Sequence, residues 1–266
     1  MMNVAFLLCI VLFGASGIHA QSSRSMAKNI HAPWGYPLDT NPKDDHLIER
    51  RQYALSYNPQ LNVANWVAWQ LNTAWYGNTP RRSGKFITDS SLPASFNRIT
   101  HDDYTKSGYD RGHMVRSEER TASEEDNAST FLMSNILPQT PTLNQQTWLS
   151  LEYECERLCK AEGKELYVIA GGVFSNMPAR LNGKVAVPDS CWKIVLILDK
   201  GQTIKDVSSK SSIIAVMMYN GKYEKSNNDW NLYTTTVDAI ERTTGYDFFR
   251  DLPDMIENQL EAKIYK

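Results

Sequence analysis

The pattern of apolar and polar residues predicts several β-strands. The runs "ELYVIAGGVF", "CWKIVLIL" and "SIIAVMMY" are continuously apolar and of strand length, which is typical of buried central strands. The segment "RRQYALSYNP" alternates aromatic and polar residues and predicts a strand that stops at Asn58-Pro59. The segment "NVANWVAWQLN" fits either a strand or a short helix, because its apolar spacing does not separate the two.

Helical periodicity is clearest from about Gln145 to Ala161. Apolar residues at positions 148, 151, 155, 158 and 159 follow the helical spacing, and Gly163 is a stop signal. Ser123, three residues before Asp126, resembles a helix start, and the segment after Pro253 reads as a C-terminal helix. The sequence contains no repeat and no glycine-serine linker. We therefore expect one domain of mixed α and β structure.

The first 20 residues have the pattern of a secretory signal. Residues 4–13 are an apolar run that is too short to span a bilayer comfortably, and small residues follow it up to Ala20. The pattern departs from a typical signal because no Lys or Arg precedes the run. We expect a signal peptide at 1–20, an extended polar lead-in at 21–45 and a single domain at 46–266. The mature protein would then be extracellular or periplasmic, without a membrane span.

Charge and cysteine content narrow the class of protein. The chain of 266 residues has a formal net charge of −2, unlike a tight duplex-binding protein. Residues 50–120 carry ten Lys or Arg and six acidic residues, giving +4 there and −6 elsewhere, which weakly supports an anionic partner. Without Cys9 of the signal segment, three cysteines remain, so at most one internal disulfide can form. Their spacing does not suggest a zinc site.

The stretch "SGYDRGHMVRS" brings three chemically useful side chains together. His113 is able to act as a general base near neutral pH. In an extended segment Arg111 projects to the same face, and its planar guanidinium suits a phosphate. Asp110 either orients the loop through backbone hydrogen bonds or pairs with Arg111. The alternative for His113 is an ordinary surface or core histidine.

Two residues near the start of the predicted helix are candidate metal ligands. Asn144 and Glu152 are eight positions apart, close to two helical turns, so both face one side of the helix. Amide and carboxylate oxygens are hard donors that suit magnesium. Asn144 fits a helix cap equally well, and Glu152 fits an exposed helix face.

Longer segments around these residues carry a family resemblance. "DRGHMVRSEERT", followed by "TFLMSNILPQTPTLNQQTWLSLE", closely resembles the DNA/RNA non-specific endonuclease family, which includes secreted bacterial nucleases and mitochondrial endonuclease G. The order of DRGH, NxxPQ and LNQxxWxxLE is highly specific, and "VAVPDSCWKIVL" is similar to a later strand of the family. The resemblance covers about residues 50–250. It implies an α+β fold: a ββα-metal core within a mixed, largely antiparallel sheet domain flanked by helices.

The resemblance also implies roles for individual residues. His113 would be the general base that activates water, Asn144 the direct metal ligand, and Glu152 the residue that holds the water shell of the metal. Arg111 matches the arginine of the motif, while Asn135 and Gln139 would support the active-site loops. The implied cofactor is Mg²⁺, for which Mn²⁺ or another divalent ion can substitute. The implied substrates are DNA and RNA, single or double stranded, read through phosphate and sugar with little sequence preference.

Three departures from the family pattern concern substrate binding. Arg116 stands where the family often has Pro. Four residues after Glu152 the family usually has Arg, but here Glu156 is followed by Arg157. We expect the helix end to tilt or unwind so that Arg157 reaches the phosphate, with Glu156 turned toward a basic neighbour; the rival is that Arg116 or Arg120 takes over. The upstream substrate arginine is Arg81 or Arg82, of which we favour Arg82.

The expected function is therefore a secreted, metal-dependent endonuclease. The main alternative is a protein of the same fold that binds nucleic acid but has lost turnover, for which Glu156 is the one supporting feature. A zinc hydrolase is a third reading, which the scattered histidines disfavour. The sequence leaves the oligomeric state open.

Overall fold

The protein is built around a six-stranded antiparallel sheet. The computed structural model describes residues 29–221 and 228–265, so the predicted signal peptide lies outside the described residues. The strands lie in the spatial order β1-β2-β3-β6-β9-β10. Their bounds are β1 His46–Glu49, β2 Ala54–Asn58, β3 Val63–Leu71, β6 Glu165–Val173, β9 Ser190–Leu198 and β10 Ser212–Tyr219. All five strand pairings are antiparallel.

Most strand predictions are confirmed, with one correction. β2 ends at Asn58 as predicted, and the ambiguous segment at 62–72 forms a strand, β3. β6 and β9 are central, but the prediction that β10 is also central was wrong, because β10 lies at the sheet edge. Its apolar run is buried all the same. The turn that follows Trp230–Tyr233 covers the edge, since Val216 of β10 bridges Thr234.

Among the described residues, two short strand pairs and four α-helices complete the fold. The pairs are β4 Asp110–His113 with β5 Ile136–Gln139, and β7 Arg180–Leu181 with β8 Val185–Ala186. The helices are α1 Glu124–Ser129, α2 Trp148–Lys160, α3 Val237–Thr244 and α4 Asp254–Glu261. As predicted, the Ser123 side chain caps α1 and α4 begins after Pro253. The predicted helix at 145–161 is α2, preceded by a π-helical turn at Leu143–Thr147.

The sheet has an apolar core on each face. On the α2 side, Trp148, Leu151 and Cys155 pack over the sheet, while Trp34 and Phe248 pack on the opposite side. Side chains alternate along β9, so neighbouring residues enter different cores. Cys155, Cys159 and Cys191 are all buried and unpaired, so the described chain forms no disulfide.

The described part of the lead-in, residues 29–45, is packed on the rest of the structure rather than extended away from it. His31 and Trp34 are buried, and Leu38 bridges Asp247 near the C-terminus. The His31 imidazole contacts the Arg51 carbonyl (2.9 Å) and accepts a hydrogen bond from the Gln70 amide (3.1 Å). The turn-rich sequence there reflects a segment that folds back over the sheet. None of the described helices is long and apolar enough to cross a membrane.

Candidate active site

A cavity of about 340 Å³ lies between the end of β4 and the first turns of α2. The π-helical turn and α2 follow β5 directly, so the motif and the helix form a strand–strand–helix unit. The cavity is lined by Arg81, His113, Arg116, Ser117, Glu118, Asn144, Gln145, Leu149, Glu152 and Tyr153. The structure therefore brings His113, Asn144, Glu152 and Arg116 together, as the sequence predicts.

His113 is the last residue of β4, and its side chain is held between two phenylalanine rings. Its ring centroid lies 5.2 Å from those of both Phe86 and Phe131. Burial, together with the positive charge of Arg81, lowers the pKa of His113 to about 4. Its buried Nε2 atom has no hydrogen-bond partner among the described residues. His113 is thus a neutral imidazole with a free nitrogen at neutral pH, which is the state a general base requires.

The strand pair leaves no room for a larger residue beside His113. Gly112 faces Gln139 of β5, and a Cβ atom at Gly112 would lie 2.1 Å from the Gln139 Oε1 atom. Asn135 fixes the next segment, because its Nδ2 donates to the carbonyls of Val115 (3.0 Å) and Thr130 (2.9 Å). Its Oδ1 accepts from the Val115 amide (3.0 Å). Both Asn135 and Gln139 are fully buried, as expected for residues that support the loops.

Asn144 lies in the π-helical turn and is held by Asp110. Its Nδ2 donates to Asp110 Oδ2 (2.9 Å), and Gln145 Nε2 donates to the same oxygen (2.7 Å). Because a carboxylate only accepts, this contact identifies the amide nitrogen and directs the amide oxygen away from Asp110. Asn144 caps no helix, which removes the alternative reading. Asp110 orients Asn144 and Gln145 rather than pairing with Arg111.

Glu152 is on the buried face of α2 and not on an exposed face. It is 5% exposed, and this burial raises the pKa of its carboxyl group to about 7. Two cations counter that effect. Lys193 Nζ lies 4.0 Å from Oε1 and Arg116 Nε lies 3.6 Å from Oε2. Glu152 therefore lines the cavity between two positive charges, which favour its ionised form.

The structure selects Arg81 and not Arg82 as the upstream arginine of the cavity. Arg81 lines the cavity, its Nε donates to Ser117 Oγ (3.0 Å), and its side chain is 56% exposed. Arg82 instead donates to the Lys85 carbonyl (2.7 Å) and lines a neighbouring depression. Arg81 therefore lies in the cavity and Arg82 beside it, so substrate binding by Arg82 stays a prediction.

The prediction for Arg157 was also wrong in its geometry. α2 continues regularly to Lys160, so its end neither tilts nor unwinds. Arg157 points away from the cavity and pairs with Glu154 (2.7 Å) and Glu162 (2.5 Å). Glu156 does turn toward basic neighbours, as expected. It accepts from Arg116 Nη1 (2.7 Å) and Lys160 Nζ (2.6 Å).

Arg116, from the loop after β4, fills the space that Arg157 was expected to reach. Its guanidinium lies among the carboxylates of Glu118, Glu152 and Glu156 and 4.8 Å from the Tyr153 ring centroid. Arg120, the other candidate, is fully buried against the Gln52 carbonyl and does not reach the cavity. The cavity thus receives its helix-side cation from a loop.

Arg111 shares a face with His113, since both contact Phe86, but it does not line the cavity. Its Nη2 donates to the His101 carbonyl (2.7 Å) and to Thr105 Oγ1 (3.0 Å). The guanidinium also lies 5.8 Å from the Tyr104 ring centroid. These contacts tie β4 to the preceding loop, and a catalytic role for Arg111, which the family resemblance implies, stays a prediction.

The donors in the cavity fit a divalent metal ion with a water shell. The Asn144 amide oxygen is a hard ligand, and the Glu152 carboxylate is able to accept hydrogen bonds from metal-bound water. His113, whose buried Nε2 has no partner among the described residues, lines the same cavity. Magnesium usually retains several waters, so few direct protein ligands are needed.

Sequence analysis missed several residues of this site. Glu118 and Gln145 lie inside the motifs but gave no separate signal, and Tyr153 resembles an ordinary exposed helix residue. Lys193 did leave a signal, because it is the one charged residue within the apolar run of β9.

An imidazole on the first strand of an antiparallel pair, with an amide at the start of the crossing helix, defines a ββα nuclease. Comparison with known proteins gives the family. Residues 35–255 match the family model described as DNA/RNA non-specific endonuclease, and the chain belongs to that family and is an endonuclease. Membership implies a divalent metal ion and a nucleic-acid substrate.

Relatives support this assignment along the chain. A nuclease of Nostoc sp. is 42% identical over 99% of this chain and 97% of its own length. Mitochondrial endonuclease G of Homo sapiens is 33% identical over 60% of this chain, and the match spans 57% of that protein. A chain in the crystal structure of an EndoG/EndoGI complex has the same fold, with a TM-score of 0.70, 24% identity, and coverage of 85% of this chain and 92% of that one.

Proposed function

We propose that this endonuclease hydrolyses phosphodiester bonds in both DNA and RNA, with His113 as general base and Mg²⁺ held by Asn144 and Glu152. The observation that carries the proposal is the free, buried Nε2 of His113 in one cavity with the Asn144 amide and the Glu152 carboxylate. A neutral base, hard oxygen donors and a nearby guanidinium are the groups that this reaction requires.

The residues divide the chemistry between them. His113 Nε2 takes a proton from water, whose oxygen forms a bond to phosphorus as the bond to the leaving oxygen breaks. Arg81, half-exposed at the rim, binds a nonbridging phosphate oxygen and favours the added negative charge of the transition state. When bound, a divalent ion stabilises charge on the phosphate and on the leaving oxygen. Asp110 keeps the Asn144 amide oriented throughout.

The same cavity supports broad substrate use. Its polar groups are suited to phosphate oxygens, which are common to DNA and RNA and carry no direct sequence information. The cavity is also open at the surface, where Arg81 and Tyr153 are exposed. Single-stranded and double-stranded nucleic acids are both expected as substrates.

Cleavage of matched DNA and RNA, single and double stranded, across a series of divalent ions tests this function. We expect cleavage of all four substrates with Mg²⁺ or Mn²⁺ and complete loss with EDTA. Asn144→Ala should weaken metal binding and activity together. Unchanged cleavage in EDTA, or an Asn144→Ala variant that loses only thermal stability, would contradict the proposal.

We also propose that the protein is exported, on the basis of the apolar run at residues 4–13 and the small residues up to Ala20. N-terminal sequencing of protein recovered outside the cytoplasm of a host that secretes it should begin at Gln21. Recovery of the uncleaved chain from the cytoplasm alone would argue against export.

A further inference from the structure

A lysine interrupts the apolar face of the sheet beneath the cavity. Lys193 is in β9, and its neighbours on the same face, Cys191 and Val195, are completely buried. Lys193 itself is 1% exposed. Lysine is almost never fully buried unless it is paired with an opposite charge. The acidic group that Lys193 faces therefore indicates the role of this lysine.

The Lys193 ammonium is fixed by rings on two sides and faces a carboxylate. Its Nζ lies 4.1 Å from the ring centroid of Trp148 and 5.7 Å from that of Trp69. The closest acidic atom is Glu152 Oε1, at 4.0 Å. The stem of Lys193 comes from the sheet and Trp148 from the first turn of α2, so both elements hold the ammonium in place.

Glu152 therefore meets a different cation on each oxygen. Oε1 faces Lys193 below, and Oε2 faces Arg116 at the side, 3.6 Å away. A carboxylate attracted at both oxygens loses the freedom to rotate about its last bond. The orientation of Glu152 in the cavity is thus set by a residue that does not line the cavity.

We propose that Lys193 is a positioning residue, which holds the Glu152 carboxylate from beneath in the orientation that binds the water shell of the metal ion. This inference rests on the proposed function, because it assigns Lys193 a part in metal binding through Glu152. Groups that orient the residues around a metal typically change metal affinity about 10–100-fold when they are removed.

The direction of the effect separates positioning from simple electrostatics. Binding is compared at alkaline pH, where Glu152 is ionised and the effect of Lys193 on the pKa of Glu152 does not enter. There a positive charge close to a metal site repels the ion, so a lysine acting only by its charge would weaken metal binding, and its loss would tighten it. Loss of positioning has the opposite effect. Lys193→Met keeps most of the side-chain volume while it removes the ammonium, which makes it the informative change.

The experiment measures Mn²⁺ binding to the full chain without nucleic acid, by electron paramagnetic resonance of the free ion. Lys193→Met should raise the dissociation constant about 10–100-fold. Val195→Ala, on the same face of β9, is the matched control: it should lower Tm and leave the dissociation constant unchanged. In a Glu152→Gln background, Lys193→Met should add no further loss, because Lys193 acts through Glu152.

Several results would overturn the inference. One is Mn²⁺ binding by Lys193→Met that equals or exceeds wild-type binding. The other is a loss of Mn²⁺ affinity on adding Lys193→Met to Glu152→Gln that is as large as the loss in the wild-type background. If Lys193→Met fails to fold while the Lys193→Met/Glu152→Gln variant folds, the charge of Lys193 serves Glu152 and the inference stands. If neither variant folds, Lys193 has only a structural role in the core, and the inference is wrong. Failure of the wild-type chain to cleave nucleic acid with any divalent ion would instead defeat the proposed function.

Discussion

At the scale of single residues, His113 carries the clearest prediction. His113→Ala should lower the cleavage rate about 10²–10⁴-fold, the usual contribution of a general base. The loss follows from removal of a neutral imidazole with a free Nε2 and not from unfolding, which circular dichroism should show.

His101→Ala is the matched control for His113. The centroid of the His101 ring lies 5.9 Å from that of the same Phe86 ring, and His101 Nδ1 accepts a hydrogen bond from the Phe86 backbone amide (3.2 Å). His101 does not line the cavity. We expect this variant to retain nearly wild-type cleavage. Comparable rates for folded His113→Ala and wild type would remove His113 from the mechanism.

The pH dependence should distinguish His113 from Glu152. Burial first, and Arg81 second, lower the pKa of His113 to about 4, so the base stays neutral and kcat at saturating metal should remain level down to about pH 5. Burial raises the pKa of Glu152 to about 7. The half-saturating metal concentration should therefore rise below pH 7, by up to about tenfold per pH unit, because protons compete with metal for Glu152.

Steady-state kinetics at varied pH and metal concentration checks this separation. A kcat that falls with a midpoint near 6.5 at saturating metal would mean that His113 is an ordinary, solvated histidine. A half-saturating concentration that does not change between pH 8 and pH 5.5 would remove Glu152 from metal binding.

At the scale of elements, the arginine that the family usually has on the helix is replaced here by an arginine on the loop after β4. Glu156 stands on the helix and Arg116 on the loop, and their side chains meet at 2.7 Å. Arg116→Ala should lower stability by about 3–5 kcal/mol, because it leaves buried Glu152 without one of its cations. It should also lower kcat/KM. Arg157→Ala should leave stability nearly unchanged and kcat/KM unaltered, as expected for an exposed ion pair.

A charge exchange provides the control for this pair. Arg116→Glu should be severely impaired, and adding Glu156→Arg should recover part of the activity, since the ion pair is restored with reversed polarity. Chemical denaturation and cleavage kinetics on the wild type, Arg116→Glu and the double variant measure both effects. A substrate KM that rises for Arg157→Ala but not for Arg116→Ala would restore the original expectation for the helix.

These elements show which features the sequence could predict. The placement of Asn144 and Glu152 on one side follows from spacing within a single helical segment, and the wider turns of the π-helical segment modify it only slightly. Arg111 and Arg157 could not be placed in this way. Long side chains follow their tertiary partners, which here are the His101 carbonyl and the carboxylates of Glu154 and Glu162.

At the scale of the whole molecule, the two ends of the described chain pack against each other over one face of the sheet. Leu38 bridges Asp247, and Trp34 packs edge-on to Phe249 with ring centroids 5.8 Å apart. The polar composition of residues 21–45 concealed these contacts, because a few buried side chains among turn residues produce no periodic pattern. The edge position of β10 was hidden because the turn after Trp230–Tyr233 covers this strand, so its apolar run is buried like that of a central strand.

The C-terminal helix joins this assembly through a cluster of acidic residues whose ionisation should make stability depend on pH. Carboxylate oxygens of Asp238, Glu241 and Glu261 lie within 4.8 Å of one another, and Glu261 is 6% exposed. Burial, and then the negative charge of Glu241, raises the pKa of Glu261 to about 9, above its value of 4.5 in an unfolded chain. A carboxyl group with a raised pKa contributes its full stability below pH 4.5, and this contribution is lost as the pH rises through 9.

Glu261→Gln should therefore stabilise the protein in alkaline solution only. The amide stays neutral at every pH, so the variant avoids the cost of ionising Glu261 beside Glu241. Because Asp238 and Glu241 are partly exposed, screening by solvent limits the gain to about 1 kcal/mol, or about 2–4 °C in Tm at pH 9, with no gain near pH 4. Glu257→Gln, one turn earlier on α4 and more exposed, removes the same charge and should give a smaller gain. Differential scanning calorimetry of the three proteins from pH 4 to pH 9 measures these differences, and a Tm shift for Glu261→Gln that is the same at all pH values would show that Glu261 is ionised throughout or serves only in packing.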